Sequence, residues 1–213
     1  VDTAITSISI SFVASTTIML LSFIMVVVAT YKSNTFQKSL IFLASCGYAF
    51  PGTILAVGVV VFVGWLNDIF YFHMSYFIGG FVVLIFAYTL RFLAIGNGSV
   101  RSGVTRINPN LIDASRTMGR SFLTTMKKII LPLTYTNILV GGILVFVDIL
   151  KELPITLLLR PFNFETLATY VYQYASDEML EESSFAALII ILAGFGPVIF
   201  LSRTIKKYST KTN

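Results

Sequence analysis

Apolar residues in this chain run in long continuous stretches, at about 8–30, 43–65, 75–95, 133–150 and 184–202, and do not alternate with polar ones. A helix that crosses a bilayer needs about 20 mostly apolar residues, whereas regular alternation would mark barrel strands. Hydrocarbon offers no partner for backbone N–H and C=O groups, so only helices and closed barrels span it. The pattern therefore predicts an all-α polytopic membrane protein with about five transmembrane helices. The first stretch has no basic run before it, follows Asp2, and is too long for the apolar centre of a secretion signal. It reads as a true span. The chain begins at Val1 without an initiator Met and is read as the later part of a longer polypeptide.

Composition agrees with lipid as the solvent: 56% of the 213 residues are hydrophobic and 12% are charged. Charge placement adds an orientation. Lys32 and Lys38, then Arg91, Arg101, Arg106, Arg116, Arg120, Lys127 and Lys128, then Arg203, Lys206, Lys207 and Lys211 fall in segments on one side of a five-span topology. By the positive-inside rule that side is cytoplasmic, with the N-terminus outside and the C-terminus inside. The acids Asp2, Asp68, Asp148, Glu152, Glu165, Asp177, Glu178, Glu181 and Glu182 fall on the other. The net charge of +5 is thus a topology signal and implies no nucleic acid.

Cys46 is the sole cysteine and His73 the sole histidine, so neither an intrachain disulfide nor a His/Cys metal site is expected. His73 reads as an interfacial residue. The chain has no GxxxxGK, GxSxG or HExxH and no strand carrying GxGxxG. No ATP hydrolysis, covalent catalysis or bound cofactor is expected of it.

Two long loops remain. In the cytoplasmic loop 96–132, Asn108-Pro109 starts a short helix that Gly119 ends in the left-handed conformation, with Leu111, Ile112, Ser115 and Met118 on roughly one face. Ser121 caps a second helix in which Phe122, Met126, Ile129 and Ile130 share a face while Lys127 and Lys128 point elsewhere; Pro132 ends it and opens span four. Periodicity alone fits a solvated loop on anionic headgroups equally well. The external loop, 151–183, opens on Asp148, Lys151 and Glu152, where one lysine can neutralise part of a carboxylate pair. That cluster reads either as a structural ion-pair network or as part of a pathway. Pro51-Gly52 breaks the helix ladder of span two, as a packing kink or a pathway lining. Tyr170, Tyr172 and Tyr174 read as interfacial, with Tyr170 and Tyr174 on one face.

Spacing shifts the balance for the cytoplasmic loop. Asp113-Ala114-Ser115, Gly119, Ile129 and Leu131-Pro132 fit EAA-x3-G-x9-I-x-LP, with Asp for Glu and Ser for the second Ala. This resembles the signature loop of type I, binding-protein-dependent ABC importer permeases. The run Phe146–Phe162, with its KELP and TLLLRPF, then Thr166-Leu167-Ala168 and the Pro51-Gly52-Thr53 of span two, is similar to ferric-iron permeases of that group.

The resemblance implies several partners. A cytoplasmic ABC ATPase dimer would carry ATP and Mg and dock on the loop. A periplasmic or extracellular substrate-binding protein would deliver the solute, and a second permease half or a second copy would complete the pathway. The setting would be a bacterial inner membrane and the substrate ferric iron, with thiamine, phosphonate or another small solute as the alternative. An intramembrane enzyme or receptor is the reading from another class. Asp148 has no second intramembrane Asp, and a receptor has no use for the Gly119 and Leu131-Pro132 spacing.

Overall fold

The computed structural model describes residues 2–31, 35–70 and 80–209. His73, Lys32, Lys211 and the first residues of the stretch predicted at 75–95 lie outside them. The described chain is helical: α1 Asp2–Tyr31, α2 Thr35–Cys46, α3 Gly52–Phe70, α4 Phe81–Val104, α5 Pro109–Thr117, α6 Phe122–Thr125, α7 Leu131–Leu150, α8 Pro154–Leu159, α9 Leu167–Ser176 and α10 Leu180–Ser209. Among the described residues, four stretches are long and apolar enough to cross a membrane, namely Asp2–Tyr31, Gly52–Ile69, Phe81–Val104 and Phe122–Leu150. The fifth predicted stretch, 184–202, lies within α10.

Helices α1, α4 and α7 form the centre. Lipid gives apolar side chains no reason to leave it, so such helices associate through close packing between small residues. The buried face of α1 carries Ser7, Ser11, Ser15 and Ser22, and Gly96 of α4 lies against Ser22. Helices α4 and α7 run antiparallel, with Gly103 against Asn137 and Gly141 against Ser99. Around these contacts Ile18, Leu84, Val100 and Val145 are fully buried. The Ser7 hydroxyl accepts the Leu167 N–H at 2.6 Å and so ties the start of α9 to α1.

Helix boundaries differ from the hydropathy pattern at several places. The stretch predicted at 43–65 is interrupted. Helix α2 ends at Cys46, Gly47–Ala49 make a single 3-10 turn, and Phe50 is extended at φ −83° and ψ 141° before α3 begins at Gly52. A residue before proline is pushed out of the helical region, so Phe50 breaks where Pro51 follows. Helix α4 continues past 95 to Val104, so the predicted loop 96–132 begins as helix and carries Arg101 on a helical turn.

Pro132 does not end the second loop helix. Helix α6 passes through a π-helical turn, Met126–Ile130, directly into α7, and Leu131 donates to the Met126 carbonyl five residues back. Proline has no N–H to donate and its ring crowds the carbonyl four residues earlier, so a widened turn lets the helix continue. The segment expected to be external, 151–183, is likewise largely helical, and Ile155, Thr156 and Leu159 of α8 are buried.

The interrupted segment touches α4 at Gly47, where an added Cβ would overlap the Leu90 carbonyl. Gly47→Val is expected to destabilise the protein by about 1–3 kcal/mol through overpacking against backbone. Thermal melting of the detergent-purified protein checks this: an unchanged midpoint would remove Gly47 as the approach point.

Candidate functional site

The sequence-predicted residues fall into two groups. The first is the two-helix loop. The Asn108 side chain accepts the Asn110 N–H at 3.0 Å and Pro109 follows at the first helical position, so α5 starts where predicted. Gly119 has φ +73°, and the Gly119 and Arg120 N–H groups bond to the Arg116 and Ser115 carbonyls at 2.9 and 3.1 Å. This paired bonding satisfies the carbonyls left open at the helix end, and a left-handed glycine permits it. The Ser121 hydroxyl accepts the Thr124 N–H at 3.3 Å and caps α6.

The predicted shared face of Leu111, Ile112, Ser115 and Met118 is divided by the structure. Ile112 and Ser115 turn inward, and Ser115 shares a buried hydrogen bond of 2.8 Å with Thr125 that closes α5 onto α6. Below them, Ile130 is fully buried and Phe122 meets Tyr31 of α1 edge to face at 6.1 Å. Leu111, Met118 and Leu123 remain 49, 66 and 61% exposed, beside the exposed Asp113 and Ala114. Asp113 pairs with Arg116 at 3.8 Å across the same surface, a solvent-exposed contact of little energetic weight. Ile129 is half-buried, Leu131 and Pro132 are exposed, and Lys127 and Lys128 point outward as expected.

The second group lies at the two helix interruptions. Helix α7 ends at Leu150 and α8 starts at Pro154, so Lys151, Glu152 and Leu153 form a second break like that at Phe50-Pro51. Lys151 pairs with Asp148 at 2.8 Å, as the spacing suggested. Glu152 does not share that lysine. It is buried, and its Oε2 lies 3.5 Å from the Arg91 Nε. That Nε makes no hydrogen bond, so the contact is an ion pair only. The Arg91 Nη1 donates to the Phe50 carbonyl at 3.2 Å, and Glu152 Oε1 accepts the Ile155 N–H at 3.4 Å. Any Cβ at Gly52 would press on Arg91, Glu152 and Pro154. About one turn on, Tyr88 and Thr156 share a buried hydrogen bond of 2.5 Å.

Arg91 corrects one expectation: counted with the basic residues of the cytoplasmic segments, it lies instead within α4, paired with a buried carboxylate. It sits near the middle of α4, about 15 Å along the helix from Phe81 at about 1.5 Å per residue. Glu152, which it touches, therefore lies beside the middle of α4. Sequence reasoning missed Arg91 because it lies near the end of the predicted apolar stretch and its partner is far along the chain. A lone arginine among Leu90, Phe92 and Leu93 was the available signal.

The outer segment holds the remaining candidates. The Tyr170 and Tyr174 rings lie 4.2 Å apart on one face of α9, and a hydrogen bond to Tyr174, ahead of burial, raises the Tyr170 hydroxyl above its ordinary value. Asp177, Glu178, Glu181 and Glu182 are exposed. Among the described residues no three His, Cys, Asp or Glu side chains converge as metal ligands would.

The closed α5–α6 hairpin makes a specific prediction. Ser115→Leu forces a bulky side chain into a fully buried site and is expected to destabilise the hairpin by about 1–3 kcal/mol. Limited trypsin digestion reads this as faster cleavage after Arg116 and Arg120, and unchanged cleavage would refute it.

Comparison with known proteins places this geometry. Residues 10–208 match the family described as the inner membrane component of binding-protein-dependent transport systems. The chain is 27% identical over 165 residues to the Fe(3+)-transport system permease protein FbpB 2 of Haemophilus influenzae, covering 77% of this chain and 30% of that protein. It is 24% identical over 177 residues to the spermidine/putrescine transport system permease protein PotC homolog of Mycoplasma genitalium, covering 82% of this chain and 58% of that one. The chain therefore spans less than two thirds of either relative. Among solved structures, the MetNI methionine ABC transporter in inward-facing form superposes with a TM-score of 0.69 at 14% identity, over 95% of this chain and 92% of that one. A bacterial ABC transporter for the acidic polysaccharide alginate gives 0.68 at 16%, over 95% and 79%. At those identities the likeness is one of fold. The chain belongs to the family of inner membrane components of binding-protein-dependent transport systems and has the fold of an ABC importer permease.

Proposed function

We propose that this permease moves ferric iron inward across a bacterial inner membrane, driven by a separate ATPase dimer that docks on the loop between α4 and α7. The observation that carries the docking reading is the divided face of that loop. Its inner half is sealed by the Ser115–Thr125 hydrogen bond and by Ile112 and Ile130, while Leu111, Met118 and Leu123 stay exposed next to Asp113. An exposed apolar cluster rimmed by charge on a rigid two-helix element marks a protein-binding surface. Asp113, Ala114 and Gly119 shape the surface the ATPase meets. Ser115 works from beneath it, and Ile129, Leu131 and Pro132 join it to α7.

The pathway runs past the two interruptions. Lys151 is 62% exposed at the depth of Arg91, where facing lipid would cost roughly 2.5–3.5 kcal/mol on insertion scales. This face, with Asp148, Pro51 and Gly52, therefore borders water or a second permease half. A binding protein meets the outer face around the acids of 177–182. Ferric iron is favoured by the KELP and TLLLRPF runs and by the relative named for Fe(3+) transport. ATP and Mg belong to the ATPase, and the chain itself is no enzyme.

With Asp113→Lys and Gly119→Val combined, the permease should still insert but lose its ATPase on purification, and uptake of labelled ferric ion should fall by on the order of tenfold or more. Normal ATPase retention and uptake would sink the docking reading, and wild-type uptake of a polyamine in place of ferric ion would overturn the substrate. In a chain carrying Cys46→Ser and Arg120→Cys, the introduced thiol should react with an impermeant maleimide only from the cytoplasmic side. Labelling from outside would invert the topology.

A further inference from the structure

Both helix interruptions are joined to one guanidinium. Arg91 donates to the carbonyl of Phe50, the extended residue between the 3-10 turn and α3, and it pairs with Glu152, whose other oxygen accepts the Ile155 N–H at the start of α8. Gly47 lies against the Leu90 carbonyl and Gly52 against Arg91 and Glu152, so neither interrupted segment can shift without disturbing this pair. The pair also closes the far end of a hairpin. Helix α4 leads from Arg91 to the α5–α6 loop, α7 leads from that loop to Glu152, and the two pack along their length at Gly103–Asn137 and Gly141–Ser99. Lys151 and Asp148 complete a separate pair beside it, and Tyr88 and Thr156 continue the α4–α8 contact on the outer side.

We propose that Arg91 is a positioning residue: paired with Glu152, it fastens both interrupted helices to the α4–α7 hairpin, so that movement imposed at the loop reaches the interruptions. The inference rests on the docking reading of that loop. Arg91 suits the task because its planar fork presents several donors in fixed directions, reaching a carbonyl and a carboxylate together, which a single ammonium does not. Replacing one partner alone leaves a buried charge unpaired, and the protein then loses stability for that reason alone. Replacing both with neutral, similarly shaped side chains avoids this.

The test uses the permease assembled with its ATPase in membrane vesicles, in a chain carrying Cys46→Ser and Phe50→Cys, so that the exposed position 50 reports on the first interruption. Maleimide reactivity of the introduced thiol is followed without nucleotide and after trapping with ATP and vanadate, which needs no transported solute. In the parent the reactivity should change with nucleotide. In Arg91→Gln/Glu152→Gln that change should be lost, while melting temperature, ATPase retention and ATP hydrolysis stay at the parent's level. A charge-reversed pair, Arg91→Glu/Glu152→Arg, should recover part of the response. The proposal is overturned if the neutral pair keeps the parent's nucleotide-dependent reactivity, or if hydrolysis, retention and melting fall together with it. Failure of the docking reading shows elsewhere, as unchanged ATPase retention in the Asp113 and Gly119 variants.

Discussion

In hydrocarbon, each backbone N–H and C=O must find its partner within the protein, because an unpaired group costs several kcal/mol. Most of this chain meets that constraint with unbroken helices. At Phe50-Pro51 and at Lys151–Leu153 it does not, and both breaks fall at the depth of the middle of α4. Arg91 and Glu152 supply the missing donor and acceptor partners and neutralise one another in doing so. Glycines at 47 and 52 bring the broken segments close enough for this. The arrangement replaces regular helical bonding with a specific side-chain solution at the place where a transporter needs non-helical backbone.

The same three-helix centre connects that place to the loop at the other end of the protein. Serines on α1 and glycines on α4 and α7 allow contacts that larger residues would prevent, so the helices pack as one body. The loop helices are likewise closed on each other by Ser115 and Thr125 and seated on Tyr31 through Phe122.

Much of this was legible in the sequence because it is local. Apolar stretches marked the helices, and Asn108-Pro109, Gly119 and Ser121 marked the loop helices, since capping depends on residues within a turn of each other. Signals that depend on distant partners were not legible. The Arg91–Glu152 pair joins positions far apart in the chain, and residue 91 lies near the end of its predicted stretch, so charge counting put it with the basic residues that follow. Helical spacing put Leu111 and Met118 with Ile112 and Ser115, but nothing local tells which part of a broad face has a neighbour. Pro132 misled for a third reason: the rule that proline stops a helix omits the widened turn that lets it continue.

That widened turn has a consequence for α7 as a rotor. A π-helical turn holds one residue more than an α-helical one, and one residue corresponds to about 100° of rotation about the axis. Met126–Ile130 therefore sets the angular phase between the loop and everything from Leu131 onward. With that extra residue in place, α7 presents Thr134, Gly141, Val145 and Ile149 to the protein interior. A one-residue deletion between 126 and 130 would leave the composition of α7 untouched, yet it would turn that face away from α4 or twist the loop out of its present facing. In this segment the chain's length carries as much information as its side chains.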